Sequence, residues 1–167
     1  GQRYDSSGNT AGSEFQINRF TIGYQSSPSI TSLGDGGFVV TWESEHQDGD
    51  SYGIFGQRYD SSGNTAGSEF QINTYTTAAQ SEPSVAGLSD GGFVVTWESD
   101  GQDGDSLGIF GQRFDANGDM VERISSPDNQ PPSLTTSATL STDEDTASSA
   151  IAFSATDVDG DNLSYSF

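Results

Sequence analysis

The sequence lacks cysteine and lysine altogether. Without cysteine, a disulfide framework, a thiolate metal site and a thiol nucleophile are excluded. Apart from one histidine, five arginines are the only basic side chains. They face 25 acidic residues, which gives a formal net charge of −20. Because phosphate recognition requires a basic surface, we expect neither nucleic acid nor an anionic membrane surface as a partner.

Long hydrophobic runs are also missing. No apolar stretch approaches the ~18 residues of a membrane-spanning helix. No secretory signal sequence is recognisable, and no segment places its apolar residues at helical spacing. The chain opens in the middle of a repeat, so we expect a fragment of a longer array whose other parts carry any targeting signal.

What the sequence has instead is a segment that occurs twice. Residues 35–44, Asp-Gly-Gly-Phe-Val-Val-Thr-Trp-Glu-Ser, return unchanged as residues 90–99, 55 positions later. Phe38, Val40 and Trp42 alternate with residues that point the other way, which is the period of a β-strand with one face against a core. The two glycines before the strand predict a tight turn, because glycine accepts positive φ at little steric cost.

The repeat covers most of the chain. Residues 1–55 and 56–110 are identical at 42 of 55 positions, and a third copy stops after one hairpin around Asn117-Gly118. Each copy predicts four short strands, in the first copy at residues 14–18, 29–33, 38–44 and 52–59. Four antiparallel strands in about 50 residues are typical of a β-propeller blade, and a sandwich of hairpins is the alternative. In either case an adjoining unit must cover the apolar face.

The predicted fold is therefore all-β and has three parts. Residues 1–124 form tandem, propeller-blade-like, four-stranded antiparallel repeats, and residues 125–133 form a proline-rich linker. Residues 134–167 are predicted to be the truncated start of a β-sandwich, with strand patterns at 134–141 and 150–156.

Two groups of motifs resemble known bacterial families. The recurring Gly-Gly-Phe-Val-Val-Thr-Trp and Gly-Gln-Arg-Tyr-Asp units of residues 1–124 resemble repeats of giant surface and secreted proteins of the calcium-dependent RTX adhesin type. Residues 128–132, 141–145 and 157–161 are similar to the acidic motifs of bacterial cadherin-like domains. The resemblance implies a non-catalytic extracellular segment, stiffened by Ca²⁺. Its partners would be neighbouring repeats and a protein or polysaccharide ligand at a cell surface or matrix.

The spacing of the acidic residues indicates where Ca²⁺ would bind. Asp157, Asp159 and Asp161 alternate around a glycine, so their carboxylates can converge on one hard cation while the glycine permits the turn. A polar turn between two strands explains the same pattern. Glu144 and Asp145 are candidates for further ligands from a neighbouring loop.

A second candidate calcium site contains Asp100, Asp103 and Asp105, where two glycines and three acids fall within seven residues. A solvated hairpin loop is the alternative explanation. The equivalent residues of the first copy are Glu45, Asp48 and Asp50. A further alternating set, made by Asp115, Asn117 and Asp119, is explained by the turn at Asn117-Gly118.

The recurring arginines are interpreted as structural residues. Arg3, Arg58 and Arg113 each stand beside an aromatic residue and an aspartate. Arg58 and Asp60 share a strand face and are expected to pair, because residues two apart on a strand point the same way.

Tryptophan and histidine bear on the choice between two functions. Trp42 and Trp97 are interpreted as core residues, whereas an exposed row of them with Tyr52 would form a sugar-binding platform. His46 is replaced by Gly101 in the next copy, which indicates a solvated loop residue and not a catalytic base. No nucleophile–base–acid set is present. The remaining catalytic option is a carboxylate pair of the glycosidase kind, but no pair stands out among so many acids, so we expect no enzyme. The alternative to an adhesin segment is a carbohydrate-binding accessory region of a secreted polysaccharide-active enzyme.

Overall fold

The computed structural model describes residues 1–121, 133–134 and 155–156. The chain divides into two compact units, Gly1–Val121 and Glu122–Phe167. The first unit contains two four-stranded antiparallel sheets, each a simple meander in chain order. The first sheet consists of β1 Gln25–Ser32, β2 Phe38–Glu45, β3 Tyr52–Tyr59 and β4 Thr65–Gln71; the second consists of β5 Gln80–Gly87, β6 Phe93–Asp100, β7 Leu107–Phe114 and β8 Met120–Val121. The prediction of tandem four-stranded units in an all-β fold is confirmed for these residues.

The second unit is described only at one short pairing. β9, Ser133–Leu134, pairs antiparallel with β10, Ala155–Thr156, and Ala155 lies opposite Leu134. Both strands touch segments for which a strand pattern was predicted. The rest of the predicted sandwich lies outside the described residues and stays a prediction.

Each sheet begins 24 residues after the start of the corresponding sequence repeat, since β1 begins at Gln25 and β5 at Gln80 while the repeats begin at Gly1 and Gly56. The first predicted strand, residues 14–18, is not the first strand of a sheet, because its counterpart in the next copy belongs to β4 and pairs with β3. In the first copy a single bridge between Tyr4 and Thr10 represents this pairing. Residues 1–17, the N-terminal hairpin, are therefore the counterpart of the β3–β4 hairpin 55 residues later.

The double glycine before β2 is required by turn geometry and by close packing. Gly36 has a φ of +83°, where a side chain would be strained. A Cβ on Gly37 would lie 2.3 Å from the carbonyl oxygen of Tyr59. The turn is closed by Asp35, whose Oδ1 accepts a hydrogen bond of 2.8 Å from the Gly37 amide. This turn brings Phe38 opposite Tyr59, where their rings stack at a centroid distance of 4.7 Å.

The two faces of each sheet have different neighbours. In the first sheet, the face with Val39, Thr41 and Ile54 is called the forward face, and the face with Val40 and Trp42 is called the rear face. The forward face of the first sheet packs against the rear face of the second. This core contains Leu33, Val39, Ile54, Ile72, Val85, Phe93, Val95, Trp97 and Phe114.

The N-terminal hairpin packs on the rear face of the first sheet. It contributes Phe15 and Ile17 to a smaller cluster with Val40, Trp42, Phe55 and Tyr59. The hairpin and β3–β4 use the same ring geometry. Phe15 tilts against Tyr59 with centroids 5.5 Å apart, and their counterparts one repeat later, Phe70 and Phe114, lie 5.6 Å apart.

Candidate functional site at the repeat junction

Identical residues in the two repeats have opposite exposures. Ile54 is fully buried, whereas Ile109 is 74% exposed. Thr41 is buried, and Thr96, at the same position of the next repeat, is exposed. Because sequence and strand are the same in each pair, the difference comes from the sheet that covers one copy. The forward face is therefore a surface that fits another repeat.

A buried asparagine links four segments at this junction. The Oδ1 of Asn73 accepts a hydrogen bond of 2.7 Å from the Ile54 amide, and its Nδ2 donates to Asp48 Oδ2, Gln80 Oε1 and the Tyr75 carbonyl. Asn73 and Gln80 are both buried. Both the Oδ1 and the Nδ2 of the amide thereby have hydrogen-bond partners, as a buried amide requires. The network ties the β2–β3 loop of one repeat to the β4–β5 connection that leads into the next.

The arginines of the first two Gly-Gln-Arg motifs donate hydrogen bonds to the turn of the following repeat. Arg58 donates to the carbonyl oxygens of Ala116, at 2.6 Å, and Asn117. Arg3 donates in the same way to Ser61, at 2.6 Å, and Ser62. The expected pairing of Arg58 with Asp60 is replaced by this contact, because a planar guanidinium can engage two adjacent carbonyls at once.

Arg113 lacks such a turn among the described residues and behaves differently. Its guanidinium forms an ion pair with Asp90 of the same sheet. The pKa of Asp90 is lowered first by the hydrogen bond from the Gly92 amide and then by the charge of Arg113. Both side chains are about half exposed, so the pair contributes little to stability.

Glu43 joins two repeats through a single carboxylate. Its Oε2 accepts a hydrogen bond of 2.9 Å from Ser26, and its Oε1 accepts one of 2.6 Å from the amide of Glu82. Glu82 lies at a bulge of β5 with a φ of 52°, immediately before Pro83. A bulge leaves an amide outside the strand ladder, and Glu43 supplies its acceptor.

The aspartates of the recurring turns serve as local hydrogen-bond acceptors. The pKa of Asp60 is lowered first by the side chain of Asn64 and then by its amide. The pKa of Asp5 is lowered by Asn9, through its amide and then its side chain. Asp115 has a lowered pKa for the same kind of reason, chiefly the amide of Asp119. The alternating set at 115–119 is therefore organised as a turn.

The predicted calcium site in the β6–β7 loop does not form a cluster in this structure. Within the described residues, no group of three or more acidic or histidine side chains is placed to hold a metal ion. Asp103 and Asp105 are exposed and are linked only through the Asp105 amide. In the preceding repeat, Asp48 and Asp50 accept hydrogen bonds from Asn73 and from the Ala78 amide at 3.0 Å.

The remaining predicted calcium ligands lie outside the described residues, so calcium there stays a prediction. They are Asp157, Asp159, Asp161, Glu144 and Asp145. Asp100, the third acid of the β6–β7 set, is exposed at the end of β6.

The two tryptophans lie in the core, and the histidine lies in an exposed loop. Trp42 and Trp97 are 3% and 6% exposed, so the expected core positions are confirmed and a platform built from these indoles is not formed. Tyr52 is partly buried. His46 is exposed in a left-handed conformation with a φ of 61°, and Gly101 takes the same position with a φ of 71°. This backbone requirement explains why glycine replaces the histidine.

Sequence reasoning missed the residues that join the repeats. Asn73, Gln80 and Glu43 were not singled out, although a signal for two of them was present. The segment between Asn18 and Gln25 differs strongly from that between Asn73 and Gln80, yet the asparagine and the glutamine at its ends are unchanged. Polar residues that persist beside a variable loop in an internal repeat are typical of a shared hydrogen-bond network.

A scan against protein-family models, a search of curated proteins and a search of solved structures each found no match to this chain. Among the residues that the structure describes, no helix is long and apolar enough to cross a membrane.

Proposed function

We propose that the chain is a non-catalytic, extracellular repeat segment of a large bacterial calcium-dependent adhesin, which builds length and surface by stacking identical units. One observation carries the proposal. Polar residues shared by the first two copies of the repeat are used at the junction between the sheets, as Arg58 and Asn73 are. Units that recognise their own kind extend into rods or closed arrays, and such arrays present wide surfaces to a ligand.

The acidity of the chain supports the calcium part of the proposal. A formal net charge of −20 on 167 residues destabilises a compact state through self-repulsion, and divalent cations relieve this repulsion. The propeller-blade interpretation of the sheets and the cadherin-like interpretation of residues 134–167 belong to the same proposal. They rest on the meander topology and on the resemblance of the motifs.

The alternative, a carbohydrate-binding accessory region, has less support. Burial of Trp42 and Trp97 weighs against an aromatic sugar platform. The exposed aromatic residues Tyr4 and Tyr24 lie at the first end of the array. Since Tyr59, the counterpart of Tyr4, is buried in the next repeat, the exposure of Tyr4 is explained by its terminal position.

Adhesion is tested with beads that carry the full chain. Retention is measured on surfaces coated with extracellular-matrix protein and on insoluble polysaccharide, each in 2 mM CaCl₂ and in excess chelator, values on the order of those that saturate extracellular calcium modules. The proposal expects retention on at least one surface that chelator reduces. Equal retention on uncoated surfaces, or breakdown of the polysaccharide, would contradict it.

The metal is tested separately by thermal unfolding with calcium and with chelator. Asp157→Asn/Asp159→Asn/Asp161→Asn should lose the calcium-dependent rise in melting temperature, because a ligand that binds only the folded state stabilises it. Asp100→Asn/Asp103→Asn/Asp105→Asn is the matched variant for the second predicted site. Identical melting temperatures of the unmodified chain in calcium and in chelator would refute the calcium proposal.

A further inference from the structure

We propose that the rear face of the first sheet is a docking seat for the β1–β2 hairpin of another copy of the repeat. The inference rests on the repeat-stacking part of the proposed function and adds the identity of the segment that fits. Two clefts of about 450 and 440 Å³ lie on this face. The sheet side is lined by Val40 and Trp42 in one cleft and by Ile30 and Phe38 in the other, and Phe15 of the N-terminal hairpin lines both.

The second sheet shows what fills the same space. The residues 55 positions later, Val95, Trp97, Val85 and Phe93, are all buried in the core between the sheets. Val85, for example, is 8% exposed, whereas Ile30 is 65% exposed. The cover there consists of β1 and β2 of the first sheet, with Ile54 of β3 and Ile72 beyond β4 beside them.

Hydrogen bonds from backbone amides of β5 to side chains of β1 and β2 hold these two strands against the second sheet. The amides of Val85 and Gly87 donate to Ser29 and Thr31 of β1, both at 3.2 Å. The carboxylate of Glu43 on β2 accepts from the amide of Glu82. At the first sheet, the amides of Ile30 and Ser32 occupy the positions of Val85 and Gly87.

The outer half of the seat is already taken by the N-terminal hairpin. Phe15 packs against Tyr59 as Phe70 packs against Phe114. Arg3 donates hydrogen bonds to the Ser61-Ser62 turn as Arg58 does to the Ala116-Asn117 turn. The hairpin therefore stands where the β3–β4 hairpin of a preceding unit would stand. What fits beside it is a β1–β2 hairpin alone. A complete second copy of this chain would bring its own outer hairpin, β7–β8, into the same place.

The seat is tested by joining a copy of residues 20–55 directly before Gly1 of the full chain, which preserves the Phe55-Gly56 junction of the natural repeat. The chain has no cysteine, so a single thiol reports one position. Ile30→Cys is labelled with a maleimide in the unextended and the extended chain, and Val85→Cys in the unextended chain is the buried reference. We expect labelling of Ile30→Cys to slow at least tenfold on extension, to roughly the rate of Val85→Cys.

Two substitutions within the added copy, numbered as in its parent residues, provide matched controls. Val39→Asp places a charge on the forward face, which must contact the seat, and should abolish the protection. Val40→Asp places the same charge on the rear face, which points away, and should leave the protection intact. If the short extension yields no soluble chain, a complete added repeat, residues 1–55, is used instead. It supplies the same β1–β2 hairpin together with an N-terminal hairpin that packs on the rear face of the added copy.

The seat is refuted if Ile30→Cys reacts equally fast with and without either extension, or if the two charge substitutions act alike. These outcomes are independent of adhesion, because labelling reports only the covering of the rear face. A chain that docks the hairpin and binds no surface would contradict the proposed function while leaving the seat in place.

Discussion

Substituting one isoleucine in each repeat compares the same residue with and without a neighbouring sheet. Ile54 is fully buried between the sheets, and Ile109 is 74% exposed at the same position of the next repeat. Ile54→Ala removes a buried side chain and should cost about 2–5 kcal/mol of unfolding free energy. Ile109→Ala should cost at most about 1 kcal/mol, since only strand propensity and partial contacts are lost.

The difference is measured by urea and thermal unfolding of the full-length variants. Tryptophan fluorescence is a suitable probe, because Trp42 and Trp97 are buried in adjacent clusters. At roughly 4 °C per kcal/mol for a unit of this size, Ile54→Ala should melt about 8 °C or more below the unmodified chain. Ile109→Ala should stay within about 4 °C of it. Equal losses for the two variants would refute the packing of forward face on rear face.

Three further predictions concern the polar contacts. Arg58→Ala should destabilise the chain by about 1–3 kcal/mol in urea unfolding through loss of charge-assisted bonds, whereas Arg113→Ala, in an exposed ion pair, should cost under about 1 kcal/mol. Equal losses of unfolding free energy for the two variants would contradict the role of Arg58 in joining the repeats. Asn73→Ala should lower the unfolding free energy more than Asn18→Ala does, by at least roughly 1 kcal/mol, because it leaves more buried groups without partners. An equal or reversed order in urea unfolding would contradict this. The pKa of Asp60 is lowered in the folded state. The Asp60 carboxylate therefore stabilises the fold at pH values above its unfolded-state pKa, and this contribution is lost as the pH falls through its folded-state pKa. The difference in melting temperature between the unmodified chain and Asp60→Ala should therefore shrink below about pH 4, and a difference that grows there would contradict this.

Periodicity and self-alignment predicted the strands well because strand burial in this chain follows local alternation. Phe38, Val40 and Trp42 fall on one face as expected, and the glycine turn precedes them. The boundaries of the sheet could not be predicted, because a sequence repeat has no inherent start. Whether residues 14–18 begin one sheet or end another depends on whether their hydrogen bonds run to the preceding or the following strand.

The candidate site was predicted less well for two physical reasons. First, Ile54 and Ile109 are indistinguishable in sequence, and only the neighbouring sheet separates a core residue from an exposed one. Second, acidic residues near turns fit both metal binding and hydrogen bonding, and Asp48 and Asp50, the counterparts of the predicted ligands Asp103 and Asp105, accept hydrogen bonds from groups of the next repeat 25 and 28 residues away. A composition rich in carboxylates does not distinguish these two uses.

The central claim is that each repeat is covered on its forward face by the next one, and thiol labelling of a matched pair tests it most directly. Thr41→Cys and Thr96→Cys place single thiols at the same position of the two forward faces, in a chain with no other cysteine. The stacked arrangement predicts fast labelling at residue 96 and labelling slowed at least tenfold at residue 41. Equal rates at the two positions would contradict it.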